Sequence, residues 1–312
     1  MSDYPKVSGP SLTDDPALAA VVQSLRERHN DAIAAVLVYG SCLRNGNMYD
    51  GLLDLYLLCD DYRSAYSSFA AAAGNWLLPP NVFYAEAQVD DRTLRCKATL
   101  ISLQDFRRGC TRGWFQSYIW GRFAQPSRIL YSRSPQITEN VEDCLLQASY
   151  TLLHRCLPSL PPSGSLTELW AQALALSYTT ELRSERKDRP TQLISFAADF
   201  FESVTRYHAD SLAFPFAVYD AADGPRYQSD ISEQQRRMSR FSWRLRRLQG
   251  KSLSILRLIK ALFTFEGGLD YIAWKLERHS GQEIVIPDKV RRRPLLHLWG
   301  FSWNLYRRGI FK

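Results

Sequence analysis

Apolar and polar positions change their spacing along this chain near residue 102. Before it, short apolar runs alternate with turn residues. Pro16 to His29 has Pro early and places Leu18, Val21, Val22 and Leu25 on one stripe, which predicts a first helix. Ile33 to Tyr39 is apolar, carries β-branched residues and ends in Gly40-Ser41, the pattern of a buried strand entering a turn. Leu52 to Leu58 repeats that pattern and is closed by Asp60-Asp61. Arg63 to Ala73 is Ala-rich and reads as a helix that Pro79-Pro80 ends. Asn81 to Glu86 and Arg92 to Ile101 predict two more strands, so the opening 100 residues read as α+β.

After residue 102 helical spacing dominates. Helices are expected over 102–109, 114–123, 139–156, 166–184, 191–209, 231–248, 251–263 and 267–279. The Pro/Ser/Gly-rich stretch Pro158 to Ser165 reads as a hinge.

Composition narrows the class. Of 312 residues, 46% are hydrophobic and 12% aromatic, a globular balance. A formal charge of +7 implies an anionic partner, whether nucleic acid, nucleotide or acidic lipid. Arg greatly outnumbers Lys, which suits phosphate recognition through the planar guanidinium and equally suits an Arg-rich proteome. The six cysteines are scattered, with no Cys-x-x-Cys and no His at ligand spacing. That argues against a zinc site and for a reducing compartment. No apolar run approaches the ~20 residues that span a bilayer. The first 20 residues show Asp3, Asp14 and Asp15 and no Arg, unlike a signal or transit peptide. The expectation is a cytoplasmic protein, peripheral on the inner face of a bacterial cell membrane (the mitochondrial inner membrane if organellar).

The sharpest chemical signal is Val36-Leu37-Val38-Tyr39-Gly40-Ser41 followed by Leu52-Leu53-Asp54-Leu55-Tyr56. Gly lets a backbone approach a triphosphate, and the Ser hydroxyl with exposed N–H groups holds phosphate oxygens. A carboxylate on the next strand then holds Mg²⁺ against the phosphates. This pairing resembles the core of polymerase-β-like nucleotidyltransferases. Their usual second carboxylate, two residues on, is Tyr56 here, and Asp50 is too far along an extended chain to be assumed a co-ligand.

Further blocks make the resemblance more specific. Tyr39-Gly40-Ser41, Leu53-Asp54-Leu55-Tyr56 and Asp60-Asp61 look like the opening of the mitochondrial-type phosphatidate cytidylyltransferases, the translocator-maintenance family, which also lacks the second Asp. Pro79-Pro80-Asn81-Val82-Phe83-Tyr84 resembles the family's Pro-x-Asn/His-Val-Tyr-Tyr, and Lys97 aligns with a family Lys. Tyr118-Ile119-Trp120-Gly121-Arg122-Phe123-Ala124-Gln125-Pro126 is similar to Tyr-Leu-Ala-Gly-Arg-Leu-x-Lys-Pro. Leu176-Ser177-Tyr178-Thr179-Thr180-Glu181-Leu182-Arg183 is similar to Leu-Ser-Tyr-x-Gly-Asp-x-Arg. The blocks keep family order over roughly residues 33–190, and Gln125, Thr180 and Glu181 depart from the pattern.

The resemblance implies a polymerase-β-like nucleotidyltransferase domain with a mixed sheet over 1–130; the helical spacing and the composition of the end of the chain add a helical domain over 131–285 and a basic aromatic, membrane-contacting tail over 286–312. It implies transfer from CTP to phosphatidate, giving CDP-diacylglycerol and pyrophosphate, with Mg²⁺ as cofactor and no nucleic-acid partner. Asp54 is expected on the metal and Lys97 against transition-state charge. Gly40, Ser41, Arg122, Tyr178 and Arg183 are expected to line the nucleotide, and Glu181 to complete the metal site. Each has a plainer alternative: solvent exposure for Lys97, ion pairing for Arg122, Arg183 and Glu181, and core packing for Tyr178. In the tail, Arg291, Arg292 and Arg293 precede Pro294, then Leu295, Leu298, Trp299, Trp303 and Tyr306 at helical spacing, with Arg307 and Arg308 at the end. That composition suits an amphipathic helix on anionic lipid, or a helix docked on the protein itself. Two rival functions remain: transfer of a different nucleotide or to a different acceptor, and a catalytically silent membrane- or RNA-binding module.

Overall fold

The computed structural model describes residues 15–40, 52–89, 92–181, 189–264 and 284–292, with single positions elsewhere such as Cys42, Tyr49, Trp303 and Arg307. Ser41, Asp50, Arg183, Arg293, Trp299 and Arg308 lie outside the described residues, as do the side chains of Arg291 and Arg292 and nearly all of the stretch 267–279.

Helix α1 (Pro16–Arg28) starts where the Asp15 carboxylate accepts from the N–H groups of Ala17 and Leu18. Strands β1 (Ile33–Tyr39) and β2 (Leu53–Cys59) follow as expected. The Ala-rich stretch forms two helices, not one. Asp61 caps α2 (Tyr62–Ala65), and Ser68 restarts the chain as α3 (Phe69–Leu77) by accepting from Ala71 N–H. Strands β3 (Asn81–Val89) and β4 (Arg92–Ser102) lead to α4 (Leu103–Cys110), the single-turn α5 (Trp120–Phe123), β5 (Ser127–Ser132) and α6 (Pro135–Cys156). The helix expected over 114–123 is confined to its last turn, and β5 was not foreseen.

These strands form one sheet in the order β3-β4-β2-β1-β5. Only β2 and β4 pair in parallel, so the sheet is mixed. Strand alternation gives it two buried faces. Leu53, Leu55, Leu57, Cys96, Ala98 and Leu100 meet Leu18, Val21 and Leu25 of α1. Leu37, Tyr56 and Ile101 point to the other side and join Leu152, Trp170, Phe201 and Trp243 in one continuous core. The sheet and the later helices thus share their packing.

The later chain is not purely helical. Between β6 (Ser163–Ser165), α7 (Leu166–Tyr178), α8 (Arg189–Phe196), α9 (Ala198–His208), β7 (Phe216–Ala221) and β8 (Gly224–Ser229) runs a second sheet, ordered β6-β8-β7. The hairpin turns at Gly224, whose φ is +115°. The stretch expected to be a hinge instead buries Pro158 and Leu160 and supplies β6, which pairs with β8. The two helices expected over 231–263 are a single α10 (Glu233–Thr264), and α11 (Asp288–Arg292) closes the described elements. Gly250 does not break α10. A Cβ there would lie 2.4 Å from the Thr180 carbonyl oxygen, so the glycine is the notch through which the helix seats on the 177–180 turn. Among the described residues no helix is long and apolar enough to cross a membrane.

Candidate functional site

The alternation that buries Leu53 and Leu55 turns Asp54 to the opposite face of the sheet, beside Tyr56. In the parallel register Asp54 pairs with Lys97, so the two side chains emerge side by side on neighbouring strands. Both are partly buried, and neither has a hydrogen-bond or ion-pair partner among the described residues. Across the other edge of β2, Asp54 stands opposite Tyr39, the last residue of β1. The next residue, Gly40, has φ +93°, a conformation that side chains rarely adopt, and a Cβ on it would sit 3.1 Å from Asp54 Oδ2. Glycine at 40 therefore keeps the carboxylate clear and turns the backbone over it.

Tyr56 occupies the place of a second carboxylate, and its burial explains the choice. It is fully buried, and its hydroxyl accepts from Arg122 Nη1 at 2.8 Å. Burial, the dominant cause, raises its pKa well above the ordinary value although Arg122 pulls it down, so it stays a neutral phenol. Arg122 is itself 5% exposed. Its Nη2 donates to both oxygens of Glu181, at 2.9 and 3.1 Å, and its guanidinium lies 4.2 Å from the Tyr118 ring centre. Arg122, expected as a phosphate clamp, is thus held between the sheet and the turn after α7. Glu181, expected on the metal, has both oxygens on Arg122.

Two of the blocks that carried the resemblance, 118–126 with the preceding Ser117 and 176–181, pack against each other. Ser117 and Thr180 share a 2.6 Å hydroxyl contact, Arg122 holds Glu181, and Tyr178 donates to Gln125 Oε1 at 3.0 Å. Gln125 and Thr180, both departures from the family pattern, therefore have partners in each other's segment. Tyr178, expected near the nucleotide, takes part in this junction.

Sequence reasoning missed the wall that α10 supplies. The Arg257 guanidinium also lies 4.2 Å from the Tyr118 ring centre, donates through Nε to the Pro79 carbonyl at 3.0 Å and through Nη2 to Gln116. Lys260 Nζ donates to the Leu78 and Pro80 carbonyls at 2.7 and 2.9 Å. Burial, then Arg257, lowers the Lys260 pKa to about 8. Burial alone would raise the Tyr118 phenol, but Arg122 and Arg257, with help from Lys97, bring it down to about 8. Among the described residues, Lys97, Arg122, Arg257 and Lys260 act electrostatically on Tyr118, as does the Glu181 carboxylate, and Asp54 stands beside Lys97. The described cations of this face outnumber its carboxylates, a balance that favours an anion. No spacing in the sequence ties residue 257 to residue 118; only the long helix folding back does.

Among the described residues no three His, Cys, Asp or Glu side chains cluster as a metal-holding set. Asp54 is the one unengaged carboxylate among the described residues of this face, and Mg²⁺ sites commonly use one or two carboxylates with phosphates and water. A cavity of about 390 Å³ opens elsewhere, at the far end of β2, lined by Asp61, Tyr62, Trp76 and Arg108. In the tail, Trp303 is 64% exposed and Arg307 is exposed.

No family model matches the chain, and no curated protein is similar to it. Among solved structures it pairs with a nucleotidyltransferase-like protein from Exiguobacterium sibiricum at 9% identity and a TM-score of 0.27, over 62% of this chain and 79% of that one. A likeness of that size carries no functional inference.

Proposed function

We propose that this chain is a nucleotidyltransferase that moves the cytidylyl group of CTP to phosphatidate. The observation that carries the reading is the edge where Gly40, at positive φ, leaves room for Asp54, with Lys97 in register beside it. The resemblance in the sequence supplies the nucleotide and the acceptor.

In this reading the backbone at Gly40, with Ser41, lies along the triphosphate. Asp54 would hold Mg²⁺, whose charge neutralises the phosphate oxygens. Lys97 and Arg257 bring positive charge to the same face. A phosphatidate oxygen attacks the α-phosphorus of CTP; the new P–O bond forms as the bond to the β-phosphate bridge breaks, and pyrophosphate leaves with that electron pair. The attacking oxygen is already anionic near neutral pH, so no residue must act as a strong base, and positioning with charge neutralisation does the work. A second carboxylate is then dispensable. Tyr56 in its place serves Arg122 instead.

The test is incorporation of labelled CTP into a lipid-extractable product, with phosphatidate vesicles and Mg²⁺, and Asp54→Ala alongside. Label in the lipid with wild type and none with the variant is expected. CTP binding without lipid label would point to another acceptor, and no CTP binding at all would favour a silent module.

A further inference from the structure

Helix α10 presents two parallel stripes to solvent. Met238, Phe241, Leu245, Leu248 and Ile255 are 48–67% exposed and recur three, four and seven apart, so they share one side of the helix. One position before the first four of them stand Arg237, Arg240, Arg244 and Arg247, with Lys251 continuing the line, all exposed. The opposite side of the helix is seated on the protein through Trp243, Arg246, Gly250 and Arg257. The helix has a single acidic residue, Glu233, which pairs with Arg237 and Arg240. Arg244, Arg247 and Lys251 have no carboxylate partner among the described residues.

We infer that this side of α10 is a docking surface for anionic lipid, its apolar stripe entering the acyl boundary and its cationic stripe meeting the headgroups. The pairing of exposed Leu and Phe with a line of Arg is the chemistry of an interfacial helix. The C-terminal part of α10 lies beside the end of α3, where Leu77 is 77% exposed. Leu77 precedes the Leu78 carbonyl that takes Lys260, one helical turn from the exposed Leu256. Spacing of three and four also suits a helix partner, but charge opposes a second copy. Arg244 and Lys251 would flank the seam of such a pair, and the helix's one acidic residue, Glu233, is already engaged by Arg237 and Arg240. The inference stands on exposure and charge, apart from the transferase reading, and on residues other than those of the Trp/Arg tail.

The experiment is co-sedimentation of the full chain with vesicles of phosphatidylglycerol and phosphatidylcholine, and with phosphatidylcholine alone. The variants are Phe241→Asp/Leu245→Asp and Arg244→Glu/Arg247→Glu, each checked for an unchanged thermal transition. Wild type is expected on the anionic vesicles only, with a loss of at least about tenfold in each variant, since each lost surface cation weakens such binding several-fold and the Asp pair removes the apolar area that enters the acyl boundary. Binding unchanged in both variants and lost in Trp303→Asp would overturn the inference by moving the contact to the tail. So would a wild-type dimer that Phe241→Asp/Leu245→Asp dissociates while vesicle binding is absent. Labelled CTP transfer to detergent-dispersed phosphatidate separates the two readings. Its retention in the Phe241→Asp/Leu245→Asp variant is expected, and its absence from wild type would sink the transferase while leaving the vesicle result intact.

Discussion

Gly250→Ala and Gly74→Ala make the same chemical change in two helices and are expected to move stability in opposite directions. Helix propensity alone favours both, since Ala is better than Gly by about 0.8–1 kcal/mol in a helix interior. At Gly74 in α3 nothing lies within 4 Å of the new methyl, so the gain is realised, reduced by the nearness of the helix end. At Gly250 the methyl would lie 2.4 Å from the Thr180 carbonyl oxygen and 3.1 Å from Thr180 Cβ. The oxygen is backbone, in a turn tied by the Thr180 N–H to Ser177 and the Ser117–Thr180 hydroxyl contact, so it cannot swing aside. Overpacking of this kind typically costs about 1–3 kcal/mol and occasionally more; a rigid backbone contact puts it toward the upper end, so that after the propensity gain the net loss is up to about 2 kcal/mol. For a chain of this size each kcal/mol moves Tm by roughly 2–4 °C. Thermal unfolding followed by circular dichroism should show Gly250→Ala lower by a few degrees and Gly74→Ala higher by one or two. If Gly250→Ala were the more stable protein, the close seating of α10 on the 177–180 turn would be refuted, and with it the wall that Arg257 and Lys260 build.

Gly40→Ala is expected to keep the fold and to lower CTP incorporation by about 100-fold or more, as misplacement of a reacting group by about 1 Å does; transfer within threefold of wild type would refute the Gly40–Asp54 arrangement. Tyr56→Phe strands a buried Arg122 N–H and should destabilise by about 1–3 kcal/mol, read as a fall in Tm. Tyr118 should ionise near pH 8 in the folded protein, seen as an ultraviolet absorbance step that Tyr118→Phe removes. Because its folded pKa lies below the ordinary 10, the unfolded chain binds more protons between pH 8 and 10. This group's stabilisation is therefore complete above pH 10 and is lost as pH falls through 8, and stability of Tyr118→Phe should rise less over that window.

The α+β opening was legible because each strand is a buried run with its own turn signal: Ile33–Tyr39 is apolar throughout, and Asp60-Asp61 stops the next one. The site's edge was legible for the same reason, since period-two alternation puts Asp54 and Tyr56 on one face once Leu53 and Leu55 are buried. Strand β5 was hidden because Ser127–Ser132 has one short apolar run, Ile129 to Tyr131, with no alternation, and owes its state to pairing with β1. The β7–β8 hairpin was hidden because Phe216–Ala221 is only partly buried and Gly224–Ser229 has one large apolar residue, Tyr227, with the turn at Asp223-Gly224 as its chief signal. Gly250 misled because a glycine that admits a neighbouring backbone looks, in one dimension, like a glycine that ends a helix. The partners of Arg122 lie 59 and 66 residues away, a distance no local spacing encodes.

The pairing of β1 with both β2 and β5 has a consequence for synthesis. β2 emerges from the ribosome soon after β1, but the other edge of Ile33–Tyr39 has no partner until Ser127–Ser132 has been made. During that interval a fully apolar strand shows a bare hydrogen-bonding edge, the feature that templates intermolecular pairing. Fragments that stop short of Ser132 are expected to aggregate even though they contain Gly40, Asp54 and Lys97, and the smallest soluble piece of this protein should include β5.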